Sequence, residues 1–472
     1  MSQTQRVIPI LPDTAAAAAS PAMRIQPRAV RGNFARWRWA LVWITQGFFF
    51  GMPWLDWNGR QAVLFDLEGR RFYFFDAVLL PQDLILLTGV LVFSALLLFA
   101  VTALLGRIWC GFACPQTVYT EILLWIEHHI EGDRLTRLRL DAAPWNSEKL
   151  LRRGGKHLAW AGAALLTGFT LVGWFTPVRD LAAAVPSLAF GPWELFWMLF
   201  YGAATYVLAG LLREKVCQHA CPYGRFQGSM LDPATRVVAY DDLRGEPRGA
   251  RARGVAAHAR GQGDCVDCTM CVQVCPVGID IRQGLQLACI SCGLCIDACN
   301  EVMDKMRAPR GLIRFQALAR TVKTVPWWRP RVIVYAASLL LVGSSVVWAW
   351  AARPELRLNV VRDRGVLSRQ VDDGAIENVY RLQLMNASLR ARHLAVSAFI
   401  DGGEAVPLQV SQARSLVIEP AGTTTAALTL HMDELTAQRQ GPGRVVPIRI
   451  EVRDADGGSA VHAASASTFM LH

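Results

Sequence analysis

Cys265-Val266-Asp267-Cys268-Thr269-Met270-Cys271-Val272-Gln273-Val274-Cys275-Pro276, followed by Cys289-Ile290-Ser291-Cys292-Gly293-Leu294-Cys295-Ile296-Asp297-Ala298-Cys299-Asn300, carries the most specific chemistry in this 472-residue chain. Each half is a Cys-x2-Cys-x2-Cys-x3-Cys run, in which three thiolates ligate one 4Fe-4S cube and the fourth reaches across to a second. That rule assigns Cys265, Cys268, Cys271 and Cys299 to one cluster and Cys289, Cys292, Cys295 and Cys275 to the other. Structural zinc is the competing use of such cysteines, but it takes four ligands in two separated pairs. Two 4Fe-4S clusters are therefore the expected cofactors.

The rest of the chain has to hold this insert, and its composition points to a membrane. Hydrophobic residues make up 53% of the sequence, more than a soluble enzyme usually carries. The net charge of +11 could suggest nucleic acid. No basic motif interleaved with aromatics supports that use, and the basic residues crowd the ends of apolar segments instead. All twelve cysteines lie between Cys110 and Cys299. Reduced, metal-binding thiols fit this clustering better than a disulfide framework.

Five apolar stretches are expected to span the bilayer: residues 39–57, 84–105, 158–175, 193–212 and 332–352. The segment through Arg38 carries six arginines, whereas the 58–83 loop has three basic against four acidic residues. Residues 106–157 hold eight Lys or Arg, and 176–192 hold only Arg179. The positive-inside rule then places the N-terminus and the ferredoxin run in the cytoplasm and the C-terminus outside.

Residues 1–35 read as a disordered tail and 244–263 as a flexible basic Gly/Arg linker containing Arg248, Arg251, Arg253 and Arg260. After the fifth span, period-2 stretches at 379–384, 394–400, 425–431 and 445–452 are separated by turn signals such as Asp401-Gly402-Gly403 and Asp456-Gly457-Gly458. About seven strands in this tail suit an immunoglobulin-like sandwich. The expected architecture is a polytopic α-helical membrane protein with a bacterial-type ferredoxin insert and an all-β C-terminal domain. Its divisions are the tail (1–35), spans one to four (36–243), the linker (244–263), the ferredoxin domain (264–330), span five (331–352) and the sandwich (353–472).

Four cysteines lie outside the ferredoxin run. Cys110 and Cys114, and Cys217 and Cys221, form two Cys-x3-Cys-Pro pairs, each just after an apolar segment that runs toward the cytoplasm. On a helix, residues four apart share a face, so each pair can present two sulfurs to one atom, with Pro115 and Pro222 bending or ending the turn. Soft thiolates select Cu(I), zinc or an iron–sulfur cluster. A four-sulfur metal site, a third cluster and inert buried cysteines all remain open on spacing alone. His219, inside the second pair, is a candidate metal ligand. Glu121, Glu127 and Glu131 recur at helical spacing and read as a solvated face.

The pieces Cys110-Gly111-Phe112-Ala113-Cys114-Pro115-Gln116-Thr117-Val118, Trp125-Ile126-Glu127 and Pro222-Tyr223-Gly224-Arg225-Phe226-Gln227, with the double ferredoxin run and the β-rich tail, resemble the FixG/CcoG/RdxA family of cytochrome c oxidase accessory proteins. Asn300 stands where proline often follows the last cysteine. The resemblance implies five spans in the bacterial inner membrane, a cytoplasmic ferredoxin insert and a periplasmic immunoglobulin-like domain. It also implies cupric reductase activity supporting the copper centre of cbb3-type oxidases, with Cys110, Cys114, Cys217 and Cys221 as copper-handling groups. Implied partners are an unidentified cytoplasmic electron donor, copper chaperones or a copper transporter, oxidase assembly factors and membrane lipid, with a homodimer left open. Two other functions compete: a quinol- or ferredoxin-linked electron carrier to a periplasmic reductase, and a non-catalytic redox sensor or assembly scaffold.

Overall fold

The computed structural model describes residues 10–11, 25–255, 257, 261–319, 328–362, 368–371, 374–401, 406–411, 415–441, 443–455 and 462–471. The chain divides into two compact units. One comprises residues 1–54 and 88–345, and the other 55–87 and 346–472.

In the first unit, α1 (Asn33–Gly51) is followed by α2 (Leu84–Leu105), whose first turn lies in the second unit, and the short α3 (Ile108–Phe112). Next come α4 (Pro115–Glu131), α5 (Arg134–Ala142) and α6 (Ser147–Val172). Asp133 and Asn146 cap α5 and α6, their side-chain oxygens accepting from Thr136 N and Lys149 N. Then follow α7 (Val178–Ala184), α8 (Pro192–Thr205) and α9 (Pro222–Met230). Past Thr205 the α8 hydrogen bonding widens into a π-helix over Tyr206–Leu212.

Among the described residues, three helices are long and apolar enough to cross a membrane: Pro81–Leu105, Pro192–Leu212 and Pro330–Ala351. At 1.5 Å per residue their 25, 21 and 22 residues match a hydrocarbon core of about 30 Å. The other two expected spans offer a shorter apolar stretch of helix. α1 stops at Gly51, where Met52–Trp54 form a 3-10 turn, rather than running on to Trp57. α6 is apolar only beyond His157, because Glu148, Lys149, Arg152, Arg153 and Lys156 occupy its first turns.

The tail and the linker are more ordered than their composition suggests. Ile10–Leu11 pair in parallel with Leu285–Gln286, a two-residue strand that leaves no periodicity to read. Arg28 N donates to Gln273 O at 2.8 Å, and Gln26 is buried with its carbonyl accepting from Arg134. In the linker, Arg244 pairs with Asp264 at 2.6 Å, and Arg251 donates to the carbonyls of Gly263 and Asp264 at 2.7 and 2.8 Å. Arg244 and Arg251 thus tie the linker to the start of the domain it precedes, while Arg248 pairs with Glu246 inside it. Arg260 lies outside the described residues.

The ferredoxin segment adds α10 (Asp242–Gly245), α11 (Met270–Gln273) and α12 (Leu294–Met306), and antiparallel strands Arg236–Tyr240 and Ile313–Ala317 close over them. Its core is Val238, Val274, Ile279, Ile281, Ala298, Met303, Leu312 and Ile313. α13 (Pro330–Ala351) leads out to the second unit.

Among the described residues, the C-terminal part of that unit carries a nine-stranded sheet and the short helix Glu434–Gln440, where about seven strands were expected. Ile376–Asn386 pairs with Leu356–Arg362 and Thr423–Met432, and Arg392–Ile400 pairs with Val445–Asp454, which pairs with His462–Met470. Alternate residues point inward, so Leu382, Leu384, Leu394, Leu428, Leu430, Ile448, Ile450 and Phe469 form the core. Of the turn signals, Asp401 is described, and Gly402-Gly403 and Asp456-Gly457-Gly458 lie outside the described residues. The 55–87 segment joins this domain through buried Asp83, which accepts from Arg357, while Arg353 donates to Val78 O at 2.9 Å.

Candidate redox site

The ferredoxin half of the site is built by a backbone that repeats itself. Asp267 and Ser291, each just before the second cysteine of its run, both have φ of 52°. The residues just after that cysteine, Thr269 and Gly293, have φ of 56° and 75°. Left-handed residues on both sides of one cysteine curl the chain, so each loop wraps around a centre and turns its N–H groups inward. One cavity is lined by Cys265, Cys268, Cys271 and Cys299, with Met303, Leu312 and Ile313 as apolar wall. The other is lined by Cys275, Cys289, Cys292 and Cys295, with Cys271 at its edge and Val277, Ile279 and Ile290 around it.

The donor set fits an iron–sulfur cube. Burial pushes the thiols of Cys271, Cys275 and Cys299 up to about 12 and that of Cys289 up to about 11, because the apolar surroundings deny a thiolate its hydration. Neighbouring thiols raise them further. Four thiolates this close and this shielded from water are stable together only around metal cations, as in an iron–sulfur cube.

The two Cys-x3-Cys-Pro pairs share one local geometry, which differs from a plain α-turn. Cys114 N donates to Trp109 O at 3.0 Å and Cys221 N to Val216 O at 2.8 Å, both reaching five residues back. Cys114 and Cys221 then sit as N-caps, and Pro115 and Pro222 open α4 and α9. Proline therefore starts the next helix instead of ending the turn, because the first helical position needs no N–H and proline's φ is already helical. The second cysteine of each pair thus stands at the N-terminal end of the following helix.

Specific polar side chains bring the pairs together. Gln116, beside the first pair, donates to Leu208 O at 2.8 Å and to Arg213 O at 3.1 Å, just ahead of Cys217. Arg107 donates to Gln227 Oε1 at 2.8 Å and to the carbonyls of Gly224, Leu287 and Cys289. Gln227 Oε1 also faces Cys110 Sγ at 3.7 Å. A Cβ at Gly224 would lie 2.9 Å from both Arg107 Nη2 and Cys217 O, so this close approach requires glycine. Burial lifts Cys110 to about 12 and Cys217 to about 11, with Arg107 pulling both down and neighbouring thiols of the pairs pushing both up. Among the described residues, no three Cys, His, Asp or Glu are spaced to hold one bare ion, the ferredoxin cages included. His219 is exposed in the π-turn Val216–Ala220.

Gly111 joins the first pair to the second cage. A Cβ there would lie 2.6 Å from Ile290 O and 2.8 Å from Cys292 Cα. The backbone between Cys110 and Cys114 thus rests directly on the loop between Cys289 and Cys292.

The acidic period of α4 is a buried anchor, not a solvated face. Glu127 and Glu131 are each 1% exposed. Glu127 pairs with Arg137 at 3.3 Å and with Arg213, Glu131 with Lys156 at 2.7 Å, and Glu121 with Arg38 at 2.8 Å. These pairs hold Arg213 at φ 47°, the bend from which the chain enters the second thiol pair. Arg107, Gly111, Gln116 and Gln227 adjoin the cysteine motifs in sequence, and that adjacency was their one signal.

Family profiles match three stretches: a 4Fe-4S binding domain over residues 87–131, a 4Fe-4S dicluster domain over 212–318, and the IG-like fold at the C-terminus of FixG over 346–472. Nitrogen fixation protein FixG of Rhizobium meliloti (strain 1021) is 39% identical over 426 residues, covering 82% of this chain and 81% of that protein. Protein RdxA of Cereibacter sphaeroides is 37% identical over 453 residues, covering 93% of this chain and 95% of that protein. The chain belongs to the FixG/CcoG/RdxA family. Protein RdxB of C. sphaeroides, at 36% over 452 residues, is a further relative of this FixG-family chain. Between them the two iron–sulfur profiles cover all twelve cysteines. Redox chemistry on iron–sulfur cofactors is the function this FixG-family membership supports.

Proposed function

We propose that this FixG-family protein is a membrane-bound electron-transfer protein that reduces Cu(II) to Cu(I) at its Cys-x3-Cys-Pro pairs, for assembly of the copper centre of a cbb3-type cytochrome c oxidase. The observation that supports this reading is the seating of Gly111 on Ile290 and Cys292, by which the backbone between Cys110 and Cys114 rests on the loop carrying Cys289 and Cys292. In it, Cys265, Cys268, Cys271 and Cys299 hold one 4Fe-4S cluster, and Cys289, Cys292, Cys295 and Cys275 hold the other. Such clusters supply single electrons, with potentials reaching down to about −700 mV. Cys110, Cys114, Cys217 and Cys221 bind the copper substrate, take Cu(II) plus one electron to Cu(I), and favour the product because Cu(I) is the softer ion. Exposed His219 is a candidate ligand for incoming Cu(II).

In the same proposal α1, α2, α6, α8 and α13 give five spans of the bacterial inner membrane, with the N-terminus and ferredoxin segment cytoplasmic and the sandwich periplasmic. Residues 55–87 and 346–472 forming one compact unit supports this, since both would emerge on the same side. A cytoplasmic donor supplies electrons, and copper carriers and oxidase assembly factors receive Cu(I).

Anaerobic reduction of Cu(II) by the cluster-loaded protein is the test. Equal rates after replacing Cys110, Cys114, Cys217 and Cys221 with serine would sink the copper role. The match of 87–131 to a 4Fe-4S binding family favours one other reading, a third cluster on these four cysteines. Metal analysis separates the two: about eight irons with sulfur-ligated copper supports the first, and about twelve irons the second.

A further inference from the structure

A cavity of about 140 Å3 opens beside α1 and α4, lined by Arg28, Trp39, Glu121, Trp125, His128 and Arg137 among others. Arg137 is 3% exposed, and it donates through Nη2 to Pro27 O at 2.8 Å and through Nη1 to Glu127 at 3.3 Å. Its buried Nε has no hydrogen-bond partner among the described residues. A smaller cavity of about 30 Å3 lies next to it, with Glu121, Leu124 and Pro276 lining both. It adds Arg38, also 3% exposed, whose Nη1 likewise has no partner among the described residues.

Arg38 and Arg137 are buried guanidinium groups that pair with Glu121 and Glu127, and each keeps one buried N–H without an acceptor among the described residues. Buried cations and buried N–H donors both demand acceptors. A cavity of this size holding an acceptor-only group with several oxygens would meet both demands, and Arg28 adds an exposed positive charge at the rim. Trp39 and Trp125 meet edge to face with centroids 6.5 Å apart where the apolar part of α1 begins. Tryptophans favour the headgroup level of a membrane, and basic pockets between helices there take anionic headgroups.

We propose that this cavity binds a phosphate group, from an anionic lipid headgroup or as free phosphate. The site is independent of whether the four outlying cysteines handle copper.

The test uses the full-length protein in nanodiscs of phosphatidylcholine with or without phosphatidylglycerol. Native mass spectrometry counts retained lipid, and inorganic phosphate is titrated separately against thermal stability. The expected result is selective retention of phosphatidylglycerol, falling about fivefold on Arg137→Gln and on Arg28→Gln and unchanged on Arg449→Gln in the sandwich. Stabilisation by inorganic phosphate alone, lost in the same two variants, assigns the site to free phosphate. Should Arg137→Gln fail to fold, exposed Arg28→Gln decides alone. No preference for phosphatidylglycerol and no phosphate effect, or retention untouched by both variants, overturns the proposal.

Discussion

Substituting Gly111 by alanine probes the contact between the first thiol pair and the second cage. The added Cβ would stand 2.6 Å from Ile290 O and 2.8 Å from Cys292 Cα, and both obstacles are backbone. Ordinary contacts of this kind need ~3.4 Å or more, so the two segments have to part by roughly 0.6–0.8 Å. Overpacking of this sort costs about 1–3 kcal/mol, against which alanine in a helical turn returns ~0.5–1 kcal/mol. The net expectation is a destabilisation of about 1–2 kcal/mol, concentrated where Cys110 and Cys292 approach. Gly154→Ala is the matched control, because nothing lies within 4 Å of a Cβ there. The assay has three readouts on cluster-loaded protein: thermal unfolding, iron content, and the rate of Cu(II) reduction with dithionite as donor. Gly111→Ala should unfold earlier and reduce copper more slowly while keeping its iron, and Gly154→Ala should keep the parent's rate and melt at the same temperature or slightly higher. An unchanged melting temperature and rate in Gly111→Ala would refute the claim that this contact joins the two sulfur sites.

Removing one carboxylate from the α4 anchor has a larger effect, since Glu127→Gln leaves Arg137 and Arg213 buried without their shared anion. A loss of about 3–5 kcal/mol is expected by denaturant unfolding, whereas Glu148→Gln, whose partner Arg152 is solvated, should be near neutral. Arg107→Gln removes the cation beside Cys110 and Cys289 and four donated hydrogen bonds, so the reduction potential measured by EPR titration should fall for the cluster held in part by Cys289 and not for the one held by Cys265. In the second unit, Asp83→Asn weakens the pairing with Arg357, and faster proteolysis within 55–87 should report it. Iron chelation should abolish protection in 264–319 and leave the β-sheet circular dichroism of 356–470 in place, because metal-bound loops fold with their metal and the sandwich has its own core.

The parts legible in the sequence are those whose signal is local. Cysteine spacing picks out two groups that line two cavities, and period-2 alternation locates strands such as Arg392–Ile400, where Leu394, Val396, Ala398 and Ile400 face inward. Long apolar runs locate Leu84–Leu105 and Pro330–Ala351. What escapes is set by partners distant in the chain. Glu127 has the spacing of a solvated face, and nothing near it announces Arg213, 86 residues on. The backbone contact that demands glycine at 111 comes from residues 290 and 292, which no local pattern connects to it. The π-closure at Cys114 and Cys221 is invisible for a further reason: Cys-x3-Cys-Pro has the same letters in an α-turn, and only the hydrogen bond reaching five residues back tells them apart.

The two kinds of sulfur site differ in how the backbone grips them, and that difference bears on what each holds. In the ferredoxin loops, left-handed residues on either side of Cys268 and Cys292 turn the chain around its centre, and Cys265, Cys271, Cys292 and Cys299 are buried. A cofactor so wrapped leaves only if the loop unfolds. Cys110, Cys114, Cys217 and Cys221 are all partly exposed instead, and they lie in or just after short helical turns. Burial lifts the Cys110 and Cys217 thiols and Arg107 pulls both down. In the proposed function, partly exposed thiols of this kind take up a soft cation and release it again. Residence belongs to the wrapped loops and exchange to the open pairs, which is the division of labour needed if electrons are stored in one and copper passes through the other.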